Sequence, residues 1–264
     1  MKKQMAVLLC LGMATALPFG VSADETEEKE PVHLLVAAAA SLEYSFEEEL
    51  IPMFQEKYPW ITVEGAYDSS GKLQTQIEEG LEADVFMSAA KAQMENLDEE
   101  GLILSDSIVE LLENEIVVIT PKDSPLKIES FEDIVKADTI ALGDPASVPA
   151  GQYAKEALTN LDVWEEAESK ASFGTNVTEV LNWVAEGSAD AGIVYATDAA
   201  TRPDEVVAAA SAPEGSLGEP VIYPAAVVGA TENPEEAQSF VDFLCSEEAL
   251  SIFRDYGFTP NQEG

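Results

Sequence analysis

Two rhythms of apolar and polar residues alternate along the chain. Short apolar runs, the mark of buried strands, give way to stretches in which apolar residues recur every three or four positions, the mark of amphipathic helices. The first such pair is HLLVAAAASLEYSFEEEL (33–50): an apolar run stops at Ser41, and Phe46, Leu50 and Phe54 then recur at four-residue spacing. ITVEGAY alternates like a strand, DSSG is a turn, KLQTQIEEG predicts a short helix ending at Gly80, ADVFMSAA a buried strand, and KAQMENLDEEGLI a helix closed by Gly101. EIVVITP (115–121), stopped by Pro121, reads as a passage into a second unit. That unit holds FEDIVKA (helix), DTIALGDP (strand and turn), VPAGQYAKEALTNL (helix, with Pro149 in its first turn), TNVTEVLNWVAEG (helix) and ADAGIVYATDA (strand). In TNVTEVLNWVAEG, Asn176 and Glu179 stand at capping-box spacing. After the polar stretch APEGSLGEP, PVIYPAAVVGAT returns as a strand, and two helical patterns finish the chain, placing Phe240, Phe243, Leu244 and Phe253 toward the body.

This alternation predicts an α/β fold with mixed, mainly parallel sheets flanked by helices. Two passages between the units predict two lobes, 32–116 with 222–264 and 117–221, with a ligand cleft between them. Residues 1–23 have a basic start, a short apolar run and VSA before Asp24, which reads as a cleaved secretion signal; 24–31 form an acidic leader. Cys10 follows Leu9 and lies too early for a lipidation site. The remaining cysteine, Cys245, falls on an apolar helix stripe and is expected to be a buried, inert thiol.

The chain carries 13 basic and 51 acidic side chains, a formal charge of −38. Without Lys2 and Lys3, 11 basic groups face 51 acidic ones, a charge of −40. Such a surface repels nucleic acid and anionic lipid, so neither is an expected partner. A bound anion would have to be held by local, neutral donors.

Absences narrow the chemistry further. The single histidine, His33, rules out an HExxH site and is expected to be a structural strand residue; no GxxxxGK[ST] or GxGxxG loop occurs. A hydrolase using Ser41 or Ser70 as nucleophile lacks a downstream histidine, and neither serine sits in GxSxG. What recurs is a strand or loop ending at a helix start with small or hydroxyl residues: Ser41; Ser69 and Ser70; Ala150 with Gly151; and Val177. First-turn N–H groups lack internal partners and suit an anion, and Tyr195 at a strand end could add a phenol. Each also has a plain alternative: Ser41 and Asn176 as helix caps, DSSG as a turn, Tyr195 as an interface aromatic.

Taken together, AAAASL, YDSSGKLQTQIEEGLEADVFMSA, GDPASVPAGQYAKEAL, AGIVYATDA, YPAAVV and IFRDYGF resemble the molybdate-binding proteins of bacterial ABC importers over nearly all of residues 32–258. The resemblance implies a two-lobed, class II solute-binding fold that closes on a tetrahedral oxyanion, without enzymatic activity and without a cofactor. It implies that Ser41 and Ser70 donate hydroxyl and backbone N–H groups, Ala150 and Val177 backbone N–H groups, and Tyr195 its phenolic hydroxyl. Molybdenum would be bound as its oxyanion by these residues, with no bare cation site. Molybdate, with tungstate beside it, is the implied ligand, and the implied partner is the membrane permease of an ABC transporter. A periplasmic or cell-envelope monomer is expected. Sulfate or thiosulfate is the alternative ligand; ferric iron is disfavoured, since Tyr195 alone of its ligand types lies at a predicted joint. Two departures stand out: Glu43 follows Ser41-Leu42, and is expected to point away from the anion, and Gly71 stands where some relatives carry a third hydroxyl.

Overall fold

The computed structural model describes residues 29–261; the signal segment 1–23, Cys10 and residues 24–28 of the leader lie outside the described residues. In chain order the strands are β1 (Val32–Ala39), β2 (Ile61–Asp68), β3 (Val85–Met87), β4 (Val109–Asn114), β5 (Ile116–Pro121), β6 (Ile140–Gly143), β7 (Ala171–Gly174), β8 (Ala191–Tyr195), β9 (Val206–Ser211), β10 (Val221–Val227) and β11 (Thr259–Pro260). They form a six-stranded sheet, β11-β4-β10-β3-β1-β2, and a five-stranded sheet, β7-β6-β8-β5-β9. The chain leaves the first sheet after Asn114, enters the second at Ile116, and re-enters the first at Val221.

Both sheets are mixed, but parallel pairing does not dominate. β1 runs parallel to β2 and β3, and β6 to β7 and β8. The antiparallel pairs β10–β3, β10–β4, β11–β4, β5–β8 and β5–β9 each include a strand next to a crossing. The antiparallel neighbours involve the strands that flank the passages between the sheets, whereas the parallel pairs are joined through helices, as parallel crossovers require.

The opening apolar pattern is realised in full. β1 hands over through a 3₁₀ turn, Ala40–Leu42, to a helical stretch running to Lys57 with one π-helical turn at Phe46–Leu50. Phe46, Leu50 and Phe54 are buried. The terminal helix Pro234–Leu244 docks onto them: Phe240 meets Phe54 edge-on at 4.9 Å and Phe46 at 6.1 Å, and Phe253 of the helix Glu247–Asp255 lies 6.2 Å from Phe46. The opposite face of the first sheet buries Ala37, Phe86 and Ala226 against Leu73, Ile77, Met94 and Leu97. Burial on both faces explains why its strands are apolar without strict alternation.

Cys245 departs from expectation. The helix Pro234–Leu244 ends one residue earlier, and the thiol sits exposed at its C-terminal cap rather than on its buried stripe.

The helix Pro149–Asn160 starts very close to the end of β6. A Cβ on Gly151 would fall 2.1 Å from the Gly143 carbonyl oxygen. Gly151→Ala should therefore lower stability by about 1–3 kcal/mol through overpacking, read as an earlier midpoint in urea unfolding.

Candidate functional site

Five helix or strand ends converge between the sheets. Ser41 lies in the 3₁₀ turn after β1, Ser70 opens the helix Ser70–Glu78 after β2, Ala150 lies in the first turn of Pro149–Asn160, Val177 opens Val177–Ala185, and Tyr195 ends β8. All five residues line one cavity, together with Ala39, Ala40, Asp68, Ser69, Ala89, Val148 and Pro149. Ser41 is half-buried and the other four are buried. The space between atoms is about 200 Å³. That is room for a small solute.

The two plain readings of the joints fare differently. Ser41 does not cap the helix: its Oγ lies 3.0 Å from the phenolic oxygen of Tyr223. Asn176 does cap, accepting the Glu179 N–H at 2.9 Å, while the Glu179 carboxylate accepts the Thr175 N–H at 2.6 Å instead of closing the box on Asn176 itself. Ser70 Oγ accepts the Ala89 N–H at 3.0 Å, which leaves its own proton available. The neighbouring Ser69 is buried on the cavity wall, and its hydroxyl has no protein partner. The DSSG motif marked this position, but spacing could not show that both serines reach the cavity.

Neutral donors dominate the lining, and its one charged residue is Asp68. That carboxylate is already engaged: Oδ1 accepts the Ser69 N–H at 2.8 Å, pairs with Lys72 at 3.1 Å and meets Asn176 Nδ2 at 3.4 Å. Glu43 is exposed and not part of the lining, as anticipated. His33 is exposed near the start of β1, roughly 20 Å of strand away from Ser41 at about 3.3 Å per residue. No acid–base partner for a serine nucleophile comes from it. Among the described residues no group of three His, Cys, Asp or Glu side chains could hold a metal ion.

Burial sets the protonation of the groups behind the cavity. It pushes the Tyr195 hydroxyl well above the ordinary phenol range, with the neighbouring Tyr223 adding to the effect, so Tyr195 is a neutral donor at physiological pH. Asp198, fully buried, is pushed up to about 7 by desolvation, although the Tyr195 N–H donated to it at 3.1 Å works the other way.

Contacts between the sheets close the rim. The Gly71 N–H donates to the Ser147 carbonyl at 3.0 Å, Gln93 Nε2 to Gln152 Oε1 at 3.2 Å, and the Tyr195 hydroxyl lies 3.5 Å from the Ala89 carbonyl.

A binding protein that grips a small solute between two α/β sheets is the class this fold and cavity define. The chain belongs to the bacterial extracellular solute-binding protein family, whose model matches residues 34–259. This is a family of ABC-transporter substrate-binding proteins, not of enzymes. This chain is 37% identical to a protein of Bacillus subtilis (strain 168) named as a putative ABC transporter substrate-binding lipoprotein, YvgL, over 98% of this chain and 99% of that one. It is 34% identical to the molybdate-binding protein ModA of Haemophilus influenzae, over 85% and 89% of the two chains. Its fold matches the periplasmic molybdate-binding protein of Azotobacter vinelandii with a TM-score of 0.76 at 23% identity, covering 87% of this chain and all of the other. Among the described residues no helix is long and apolar enough to cross a membrane.

Two outcomes follow. A Cβ on Gly71 would lie 2.5 Å from the Ser147 carbonyl oxygen, so Gly71→Ala should wedge the rim and lower ligand affinity about tenfold, roughly 1.4 kcal/mol; titration calorimetry on a variant with an unchanged ligand-free melting temperature checks it. For Asp198, the folded state keeps its proton up to about pH 7 while the unfolded state loses it near pH 4. Its contribution therefore destabilises as pH rises from about 4 to 7 and stays constant above. Asp198→Asn should gain stability over the parent across that window, by on the order of a few kcal/mol, in urea unfolding at pH 4.5 and 7.5.

Proposed function

We propose that the protein captures molybdate, and tungstate as a near-isosteric second ligand, outside the cytoplasmic membrane and hands it to the permease of an ABC importer. Two lobes, one built on the six-stranded sheet and one on the five-stranded sheet, close on the ligand, and one chain binds one anion. The observation that carries this reading is the small cavity lined by neutral donors from several helix starts, with its one carboxylate already paired. The ModA relatives, named for molybdate binding, support the choice of anion.

In this reading Ser41 and Ser70 give hydroxyl and backbone N–H groups, Ala150 and Val177 give backbone N–H groups, and Tyr195 gives its phenol. Hydrogen bonds to a charged partner contribute about 1.5–3 kcal/mol each, enough in number to hold a dehydrated dianion. No fixed cation lines the cage, so opening the lobes releases the anion without breaking an ion pair. A donor-only cage suits an oxyanion that is fully deprotonated at neutral pH. It disfavours hydrogen phosphate, whose proton would need an acceptor. Sulfate and thiosulfate share the donor requirement and are the competing ligands; donors spaced for the larger tetrahedron could not all reach the smaller one.

Calorimetric titration should show molybdate and tungstate binding in preference to sulfate. Ser41→Ala, Ser70→Ala and Tyr195→Phe should each weaken molybdate by about 10- to 100-fold, the loss of one charged hydrogen bond. Sulfate binding as tightly as molybdate would overturn the choice of anion.

A further inference from the structure

Tyr223 stands outside the cavity lining yet touches it through Ser41. It lies on β10, fully buried, its ring edge-on to Tyr195 at 5.5 Å and to Phe258 at 5.4 Å. Behind it is Asn114, the last residue of β4, paired with Val221 where the chain re-enters the first sheet. The Asn114 amide nitrogen donates to Thr197 Oγ1 at 2.9 Å and to the Tyr223 oxygen at 3.2 Å, while its carbonyl oxygen accepts the Glu115 N–H at 2.9 Å. With both ends engaged, the amide is fixed with its nitrogen toward Tyr223.

The direction of the remaining bonds then follows by counting. An amide nitrogen cannot accept, so Tyr223 must accept from Asn114, and one phenolic proton is left to place. The geometry gives the Tyr223 hydroxyl two hydrogen-bond partners, Asn114 Nδ2 and Ser41 Oγ. The acceptor left for the Tyr223 proton is Ser41 Oγ, at 3.0 Å. Reversing that bond would strand a buried hydroxyl proton, which is costly. Ser41, its acceptor side filled, has its own proton free for the cavity. Ser70 reaches the same state by a different route, accepting from the Ala89 N–H.

We propose that Tyr223, held by Asn114, is a positioning residue that commits Ser41 to donate to the bound anion and so biases the cavity toward oxyanions that carry no proton. The inference rests on the anion-binding reading above. Without the relay, the Ser41 hydroxyl is free to rotate and to accept, and the anion loses a pre-aimed donor.

A double-mutant cycle with molybdate as the probe tests it. Tyr223→Phe keeps the ring and should weaken molybdate about tenfold in the parent chain. In a Ser41→Ala background the same change should cost nothing further, because the group it acts through is gone. Asn114→Ala should behave alike, with a severalfold loss confined to chains that retain Ser41, and ligand-free melting temperatures check that each variant is folded. Equal losses in both backgrounds, or no loss in the parent, overturn the relay while leaving molybdate binding intact. Absence of saturable molybdate binding by the parent overturns the function reading and the relay with it.

Discussion

Holding an anion without a cation depends on where protons point. A neutral hydroxyl attracts an oxyanion when it donates and repels it when it presents a lone pair, so each hydroxyl on the wall needs its acceptor side occupied from behind. Ser70 is fed by the Ala89 N–H, and Ser41 faces Tyr223. Tyr195 is kept protonated by burial. Asp68, the group most able to oppose an anion here, spends its oxygens on Ser69, Asn176 and Lys72. Groups arranged in this way need not reorient when the ligand arrives, which is where preorganised polar sites gain over water.

The fold delivers these groups through one repeated geometry. Ser41 follows the end of β1, Ser70 the end of β2, Ala150 the end of β6 and Val177 the end of β7, so helix starts collect beyond the carboxyl ends of strands, where open α/β sheets gather ligands. Because the contributing strands are divided between two sheets, the cavity is complete only when both are together. The Gly71 N–H to Ser147 carbonyl contact lies at that junction, and its closeness is possible because Gly71 has no side chain.

Much of this was legible in the residues. The stop at Ser41, the capping spacing at Asn176 and the apolar face of Phe46, Leu50 and Phe54 are local patterns, and local patterns survive folding. Strands β4, β7, β9 and β11 were not anticipated. VELLEN, for β4, places two adjacent leucines among glutamates, which fits neither alternation nor a helical stripe; it becomes a strand because β10 and β11 offer it partners. Ser41 was open to reading as a cap, and what decides otherwise is Tyr223, 182 residues further along. Tyr223 itself reads from sequence as one more apolar strand residue in VIYPAAV, and no sequence pattern singles out Asn114. Their roles exist only in the pairing of β4 with β10, which no short-range periodicity encodes.

The acidity of the chain and the neutrality of the cavity are compatible because they act over different distances. Charges on the exposed surface are screened within about 8–10 Å at physiological salt, so most of the 51 carboxylates weigh little on a group already inside. The cavity is small and walled by buried groups, so the effective dielectric falls and each aimed donor counts for more than it would at the surface. The opposing field is thus felt during approach, and the donors during residence. On the proposed reading, an approaching dianion would meet repulsion that lowers its rate of encounter, and once past the rim it would be held by dipoles oriented beforehand. Lysines or arginines on the wall would speed capture, but they would add an ion pair to break at release. A wall of pre-aimed neutral donors accepts slower capture in exchange for release governed by whether the two sheets stay together.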